Sequence, residues 1–223
     1  MTEKLPSPDR GRFRPTQDRD VRYVRAGTVV GRIYRAGGSH PASWYEFRHW
    51  GPTGARFDPH PEPEGPHPDH SVMYGAVAFP SGTGQVYPIL KTCLAEVYRD
   101  RGEVDLRRDD PHFVLMTFTR DLRLLDLADS DWLTRVGGNA AISSGDRAQS
   151  RAWAREISAA YFDEVDGVVY SPSNVPPARA VALWQWAEPA VAVQPLSNLS
   201  LAHPGLRPAV EQFAYELGLA VVR

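Results

Sequence analysis

The chain has 223 residues, with 25 Lys and Arg against 27 Asp and Glu, so its formal net charge is −2, and 42% of its residues are hydrophobic. This balance is typical of a globular protein with one domain, and it argues against a protein built mainly to hold nucleic acid, which normally carries a basic excess. Cys93 is the single cysteine, so no internal disulfide is expected. No apolar run approaches the roughly 20 residues of a membrane span, and the N-terminal residues have no hydrophobic signal-peptide core. A cytoplasmic protein is expected.

The N-terminal third begins with a polar segment and continues with a strand. Residues 1–20 mix prolines with charges of both signs, which predicts a flexible leader followed by one domain over residues 21–223. The β-branched and aromatic run at 28–35 predicts a strand that ends in a glycine turn. Five prolines interrupt residues 59–69, so this segment is predicted to be a long surface loop, of a kind that often covers a site.

A strand at 71–78 is followed by a predicted helix from Pro88 to about Asp100. The apolar stripe of this helix consists of Leu90, Cys93, Leu94 and Val97. Glu96 comes three residues after Cys93, so its carboxylate is expected beside the buried face of the helix.

The second half predicts more strands than helices. A hairpin is predicted from the strand-like runs at 113–119 and 122–127, and a helix capped by Ser144 or Asp146 at 148–162. Further strands are predicted at 168–170, 181–186 and 190–194, and a terminal helix begins at Pro208. The sum is an α+β fold, with a mixed β-sheet core and a few flanking helices.

Four segments place polar residues at the ends of these buried elements. They are Tyr34-Arg35, Gly54-Ala-Arg-Phe-Asp-Pro59, Tyr74 with Leu-Ala-Glu96-Val, and Asp-Gly-Val-Val-Tyr170-Ser-Pro-Ser173. Their order and setting resemble the RES domain, a family named for an arginine, a glutamate and a serine, over about residues 31–188. The resemblance implies a fold similar to ADP-ribosyltransferase toxins. It also implies an activity, since the family includes toxins of toxin–antitoxin pairs that destroy NAD⁺ as a substrate rather than use it as a cofactor.

Cleaving the nicotinamide–ribose bond of NAD⁺ develops positive charge on the sugar, and the diphosphate of NAD⁺ carries negative charge. The site therefore needs an anion near the ribose and cations near the phosphates. The resemblance assigns Arg35 and Arg56 to the phosphates, because a guanidinium makes paired hydrogen bonds to phosphate oxygens. It assigns Glu96 to the ribose, with Arg35 and a serine completing the catalytic set.

The tyrosines and the serine keep alternatives open. Tyr74 either stacks on the nicotinamide or donates a hydrogen bond to a phosphate. Tyr34 has either of these two roles or is a core residue. The family serine follows the tyrosine at the end of a strand. Ser171 is the favoured candidate, as a hydrogen-bond donor, and Ser173 fits if the turn carries one extra residue.

Other sites are not supported by the sequence. His60, His67 and His70 lie in the proline-rich loop and match no zinc signature, so they are expected to be solvated and no metal is predicted. Gly82 and Gly84 lack the third glycine of a dinucleotide fingerprint. Cys93 lies on the apolar stripe and is expected to pack in the core.

The resemblance also implies a partner, a small antitoxin with a helix-turn-helix region. That antitoxin would contact DNA, and the present chain would not. Three functions remain open: NAD⁺ cleavage by water or by phosphate, ADP-ribosyl transfer to a macromolecule, and a catalytically silent RES-like binding module. The sequence leaves the oligomeric state open, a homo-oligomer included.

Overall fold

The computed structural model describes residues 4–222. In this range the strands are β1 (Val21–Val24), β2 (Val30–Arg35), β3 (Trp50–Gly51), β4 (Gly65–Pro66), β5 (Val72–Val77), β6 (Glu103–Asp105), β7 (Pro111–Met116), β8 (Leu122–Asp126), β9 (Gly167–Tyr170), β10 (Arg179–Trp184), β11 (Ser197–Ser200) and β12 (Ala220–Val222). The α-helices are α1 (Ile89–Tyr98), α2 (Trp132–Arg135), α3 (Ala141–Ser144), α4 (Arg147–Ala160) and α5 (Arg207–Leu217). None of the helices within this range is long and apolar enough to cross a membrane.

Eight strands form one mixed sheet in the order β1-β8-β9-β10-β5-β2-β7-β11. The β8–β9 pair is parallel, and the other neighbours in this sheet are antiparallel. Central strand β10 is buried along its whole length because both of its faces are covered. The predicted α+β fold with a mixed sheet is confirmed.

Alternation along β5 shows how the two faces of the sheet are covered. Tyr74 packs with the cluster that contains α4, and Ala76 packs with the cluster that contains α1 and α5. Met73 and Val77 pack in a third cluster, on the opposite face. Because side chains two residues apart share a face of a strand, α1, α4 and α5 all lie on the same side of the sheet. A cleft between α1 and α4 opens over the central strands.

The sheet divides at its centre, beneath this cleft. Strand β2 pairs with β7 from Val30 to Arg35, but it pairs with β5 at only two positions, Val30↔Val77 and Gly31↔Ala76. The two strands therefore diverge beyond Gly31. Helix α1 packs closely over the divergence, since a Cβ at Gly31 would lie 2.4 Å from the side chain of Ile89, and the Cys93 thiol donates to the Gly31 carbonyl oxygen over 3.3 Å.

Two local predictions are wrong. Strands β7 and β8 do not form a hairpin, because β7 lies between β2 and β11 while β8 lies between β1 and β9. Residues 190–194 make only an isolated bridge, between Val191 and Phe118, and the edge strand β11 forms further along the chain. Apolar runs indicate strands, whereas packing across the whole sheet decides which residues enter it and which strands pair.

The N-terminal segment packs against the domain, although the sequence predicts a flexible leader there. Residues 1–3 of that prediction lie outside the described range. Phe13 is 9% exposed and stacks on Tyr161 at a centroid distance of 5.8 Å. The indole of Trp153 donates to the carbonyl of Pro6 over 2.8 Å, and the Tyr161 hydroxyl donates to the Arg14 carbonyl over 2.8 Å. A few apolar side chains and backbone carbonyls thus attach a segment whose composition is mainly polar.

Replacing Phe13 by Ala is therefore expected to lower the free energy of unfolding by about 3 kcal/mol, because it leaves a cavity among large aromatic rings. Urea titration followed by tryptophan fluorescence measures this loss. Arg19→Ala, an exposed position in the same segment, is the control and should stay within about 0.5 kcal/mol of wild type. Equal stability of the two variants would show that the segment does not pack in solution.

Candidate functional site

A cavity of about 340 Å³ fills the cleft between α1 and α4. Its floor is formed where β2 and β5 diverge, and its walls come from α1, from β9 and from the loops at residues 54–56 and 173–174. Four of the predicted site residues line it: Arg56, Tyr74, Glu96 and Ser173. These residues come from four separate segments of the chain, so the tertiary structure brings together most of the residues that the sequence pattern selected.

Glu96 lies on the face of α1 that borders the cavity. It is accessible to solvent, and its Oε2 accepts a hydrogen bond from the Tyr170 hydroxyl over 3.2 Å. Desolvation by the cavity walls raises the pKa of the Glu96 carboxyl, although the hydrogen bond from Tyr170 and the charge of Arg56 oppose the rise. The carboxyl is thus oriented by a fixed donor and open to a ligand.

Arg56 supplies a cation to the same cavity. Its guanidinium donates to the carbonyl oxygen of Gly145, at the C-terminal end of α3. Among the described residues no carboxylate lies within ion-pair distance of Arg56. Burial, followed by the charge of Arg147, lowers the pKa of the Arg56 guanidinium. A partly buried cation without an ion-pair partner is costly to keep, and an anionic ligand would offset that cost.

Two tyrosines complete the cavity wall. The Tyr74 hydroxyl donates to Asp58 over 2.8 Å and accepts from the Phe57 amide over 3.1 Å. The Tyr170 ring packs against Phe57 with centroids 4.4 Å apart. Burial raises the pKa values of both phenols well above their usual range. Both tyrosines are therefore neutral and offer aromatic surface to the cavity.

Three predicted site residues lie outside the cavity lining. Arg35, at the end of β2, forms an ion pair with Asp109 over 2.6 Å. Tyr34 faces the opposite side of the sheet and exchanges hydrogen bonds with the Asn198 side chain. The Ser171 hydroxyl accepts from Arg179 over 3.2 Å. Tyr34 packs in the core cluster on that opposite face, and the ion pair with Asp109 holds Arg35 at the end of β2. Ser173, the second serine of the pair, is the one beside the cavity.

The cavity also contains charged residues that the sequence reasoning missed. Arg147, the first residue of α4, forms an ion pair with Asp100 over 2.7 Å, and both residues line the cavity. Asp146, one of the two predicted caps, is the N-cap of α4, so Arg147 is the residue directly after it. Arg32 also lines the cavity; burial lowers the pKa of its guanidinium to about 10. The run Arg-Ile-Tyr-Arg contains both Arg32 and Arg35, and its pattern alone does not select between them.

The sequence also makes predictions for Cys93, for the histidines of the proline-rich loop and for metal binding. Burial raises the pKa of the Cys93 thiol to about 12, which fits the prediction that this cysteine is a packing residue. The prediction that the loop histidines are solvated is wrong for His60, which is 0% exposed; burial lowers its pKa to about 4. Within residues 4–222 no group of three or more His, Cys, Asp or Glu side chains is arranged to hold a metal ion.

Comparisons with known proteins agree with the predicted family and fold. A sequence profile of the RES domain matches residues 32–203. Curated proteins yield no match. Among solved structures, a chain from the crystal structure of the M. tuberculosis MbcT–MbcA toxin–antitoxin complex is similar, with a TM-score of 0.50 and 15% sequence identity. The similarity covers 88% of the present chain and 91% of that chain, and at this identity it is evidence for a shared fold.

Proposed function

Because this chain belongs to the RES domain family, we propose that it is an enzyme that cleaves NAD⁺ between nicotinamide and ribose and acts as the toxin of a toxin–antitoxin pair. The observation that carries the proposal is the placement of Glu96 and Arg56 in one cavity with two neutral tyrosines. That arrangement offers one anion, one cation without an ion-pair partner, and aromatic surface. A dinucleotide with a cationic ring and a diphosphate requires these three features.

In the proposed reaction the bond between ribose C1′ and the nicotinamide nitrogen breaks, and its electron pair neutralises the nicotinamide ring. Positive charge develops on the ribose, where the Glu96 carboxylate stabilises it and accepts a hydrogen bond from a ribose hydroxyl. Water then bonds to C1′ and releases a proton, giving ADP-ribose. Inorganic phosphate would instead give ADP-ribose with one additional phosphate. NAD⁺ is consumed, and no further cofactor is required.

Two arginines are proposed to hold the diphosphate. Arg56 has the stronger case, since it makes no ion pair in the described part of the chain. Arg147 is paired with Asp100, but this pair is solvent-accessible, with side chains 51% and 69% exposed. Exposed ion pairs contribute little to stability, so a phosphate can take the place of Asp100 on Arg147. Ser173 lies beside the same cavity and is the better placed of the two candidate serines.

The proposed partner is a small antitoxin with a helix-turn-helix region that covers the cavity and makes the DNA contacts. The similarity to a chain of a toxin–antitoxin complex supports this partner. A toxin that consumes NAD⁺ would act in the cytoplasm, where that substrate is available.

The direct test incubates the purified protein, freed of any co-purifying partner, with NAD⁺ in buffers with and without phosphate, and identifies the products by mass spectrometry. We expect free nicotinamide together with ADP-ribose, or with phosphorylated ADP-ribose when phosphate is present. Label transferred from NAD⁺ to protein or nucleic acid of a lysate would instead establish an ADP-ribosyltransferase. If the protein is folded and NAD⁺ stays intact in both experiments, the chain is a catalytically silent RES-like binding module.

The raised pKa of Glu96 predicts the pH dependence of this activity. The carboxylate form stabilises the cationic transition state, so kcat/KM should fall as the pH decreases through the pKa of Glu96. Because burial raises that pKa, the fall should be centred above about 4.3, the usual value for glutamate. Initial rates in buffers of constant ionic strength measure the profile. A profile that is still flat at the usual glutamate pKa would contradict the assignment.

A further inference from the structure

Asp58 lies directly behind the cavity wall, in the Gly-Ala-Arg-Phe-Asp-Pro segment. We propose that Asp58 is a positioning residue that anchors the Tyr74 hydroxyl, so that Tyr74 contacts the substrate through the face of its ring and not through its hydroxyl. The inference rests on the proposed function and deepens it, because it assigns a planar ring of the substrate, rather than a phosphate, to Tyr74.

The Asp58 carboxylate is 0% exposed and has four hydrogen-bond donors. Its Oδ1 accepts from the Tyr74 hydroxyl over 2.8 Å and from the Arg48 guanidinium over 2.6 Å. Its Oδ2 accepts from the backbone amide and from the hydroxyl of Thr53, each over 2.8 Å. A buried carboxylate is tolerated when charge and hydrogen bonds compensate it. The network therefore holds Tyr74 in one orientation.

The same contacts determine what the Tyr74 hydroxyl has left to offer. A phenol has one proton, and that proton is directed to Asp58. The phenol oxygen accepts a hydrogen bond from the Phe57 amide, so the hydroxyl is engaged both as donor and as acceptor. Tyr74 nevertheless lines the cavity. Its ring is the part that remains free for a ligand, and a neutral aromatic face suits stacking on a planar cationic ring such as nicotinamide.

Asp58 also closes the loop that carries Arg56. Its two bonds to Thr53 join residues 53 and 58, and Arg56 lies between them. The other titratable group that faces Asp58 is His60, with its Nδ1 3.9 Å from Oδ2. Burial lowers the pKa of His60 to about 4, so this imidazole is neutral at physiological pH and Arg48 is the cation that compensates Asp58.

The test measures KM and kcat for NAD⁺ in four variants. Asp58→Asn keeps an oxygen that can accept from the Tyr74 hydroxyl but removes its charge, so it weakens the anchor, whereas Tyr74→Phe removes the anchor and keeps the ring. Tyr74→Phe should raise KM about fivefold, Asp58→Asn should raise it by no more than that, and both should change kcat by less than about twofold. In the double variant, Asp58→Asn should add nothing to the KM of Tyr74→Phe alone, since both substitutions act on the same contact. Tyr74→Leu removes the ring and should raise KM by about 50-fold.

Asp126→Asn is the matched control, because Asp126 is also buried and paired with an arginine, Arg22, outside the cavity. It should lower the melting temperature and leave KM unchanged.

Additive effects of Asp58→Asn and Tyr74→Phe would overturn the anchoring role. If Tyr74→Phe is as damaging as Tyr74→Leu, the hydroxyl binds the substrate and the inference is wrong. This comparison does not involve Asp58, so it decides the point even if Asp58→Asn fails to fold. A folded wild-type protein that neither binds nor consumes NAD⁺ would overturn the proposed function and this inference together, whereas an active wild type with the wrong variant pattern would overturn the inference alone.

Discussion

Replacing Glu96 by Gln is expected to lower kcat for NAD⁺ cleavage by about 10²- to 10³-fold and to change KM by less than about threefold. Glutamine has nearly the same shape as glutamate, and its carbonyl oxygen can still accept the hydrogen bond from Tyr170. The substitution removes the negative charge that stabilises the positive charge on the ribose. Because this charge develops in the transition state, its loss should appear in kcat rather than in KM.

The measurement is the initial rate of nicotinamide release over a range of NAD⁺ concentrations. Glu103→Gln, in β6 and outside the cavity lining, provides the matched control and should retain wild-type kinetics. The residual rate of Glu96→Gln should also lack the decrease in acid that wild type shows. A variant with wild-type kcat would exclude Glu96 as the stabilising anion.

The same substitution should raise the melting temperature at neutral pH. Burial raises the pKa of Glu96 in the folded protein above its unfolded value. When folding raises the pKa of an acid, the group stabilises the folded state at pH values below its pKa in the unfolded chain. This contribution to the free energy of unfolding is lost as the pH rises through the pKa in the folded protein. At neutral pH the charged Glu96 carboxylate therefore destabilises the folded protein. Glutamine removes this free-energy cost because it carries no charge. The difference in melting temperature should shrink towards zero in acid.

Replacing Arg56 by Met is expected to raise KM for NAD⁺ by about 10- to 100-fold, with a smaller effect on kcat. A charge-assisted hydrogen bond contributes roughly 1.5–3 kcal/mol, and no carboxylate among residues 4–222 competes for this guanidinium as an ion-pair partner. Arg56→Lys keeps the charge but loses the planar pair of donors, so its KM should lie between wild type and Arg56→Met.

Arg35→Met is the informative comparison, because the sequence assigns Arg35 the same role while the structure pairs it with Asp109. We expect its KM to stay within about threefold of wild type, because Arg35 lies outside the cavity lining and is engaged with Asp109. If Arg35→Met raises KM as much as Arg56→Met does, the phosphates extend beyond the cavity that Arg56 lines. If neither variant changes KM, the proposed phosphate site is wrong.

Local patterns in the sequence determined most individual elements. Apolar spacing predicted helix α1 and placed Glu96 beside its buried face, and Asp146 was one of two predicted caps for α4 and is its N-cap. The strands predicted at 28–35, 71–78 and 181–186 lie within a few residues of the observed bounds of β2, β5 and β10. These features depend on contacts between residues close in the chain, so they can be read without the fold.

The tertiary structure alone decided which predicted residues share the cavity. The divergence of β2 from β5 depends on how eight strands arrange themselves. Arg56 lines the cavity, whereas Arg35 pairs with Asp109 outside the lining, although both arginines fit the sequence pattern. Packing also attached the N-terminal segment through Phe13 and buried the anchor Asp58 behind Tyr74. Each of these outcomes depends on burial and hydrogen bonding between segments distant in the sequence. Residue patterns along the chain therefore determine the composition of this site, and long-range packing determines its geometry.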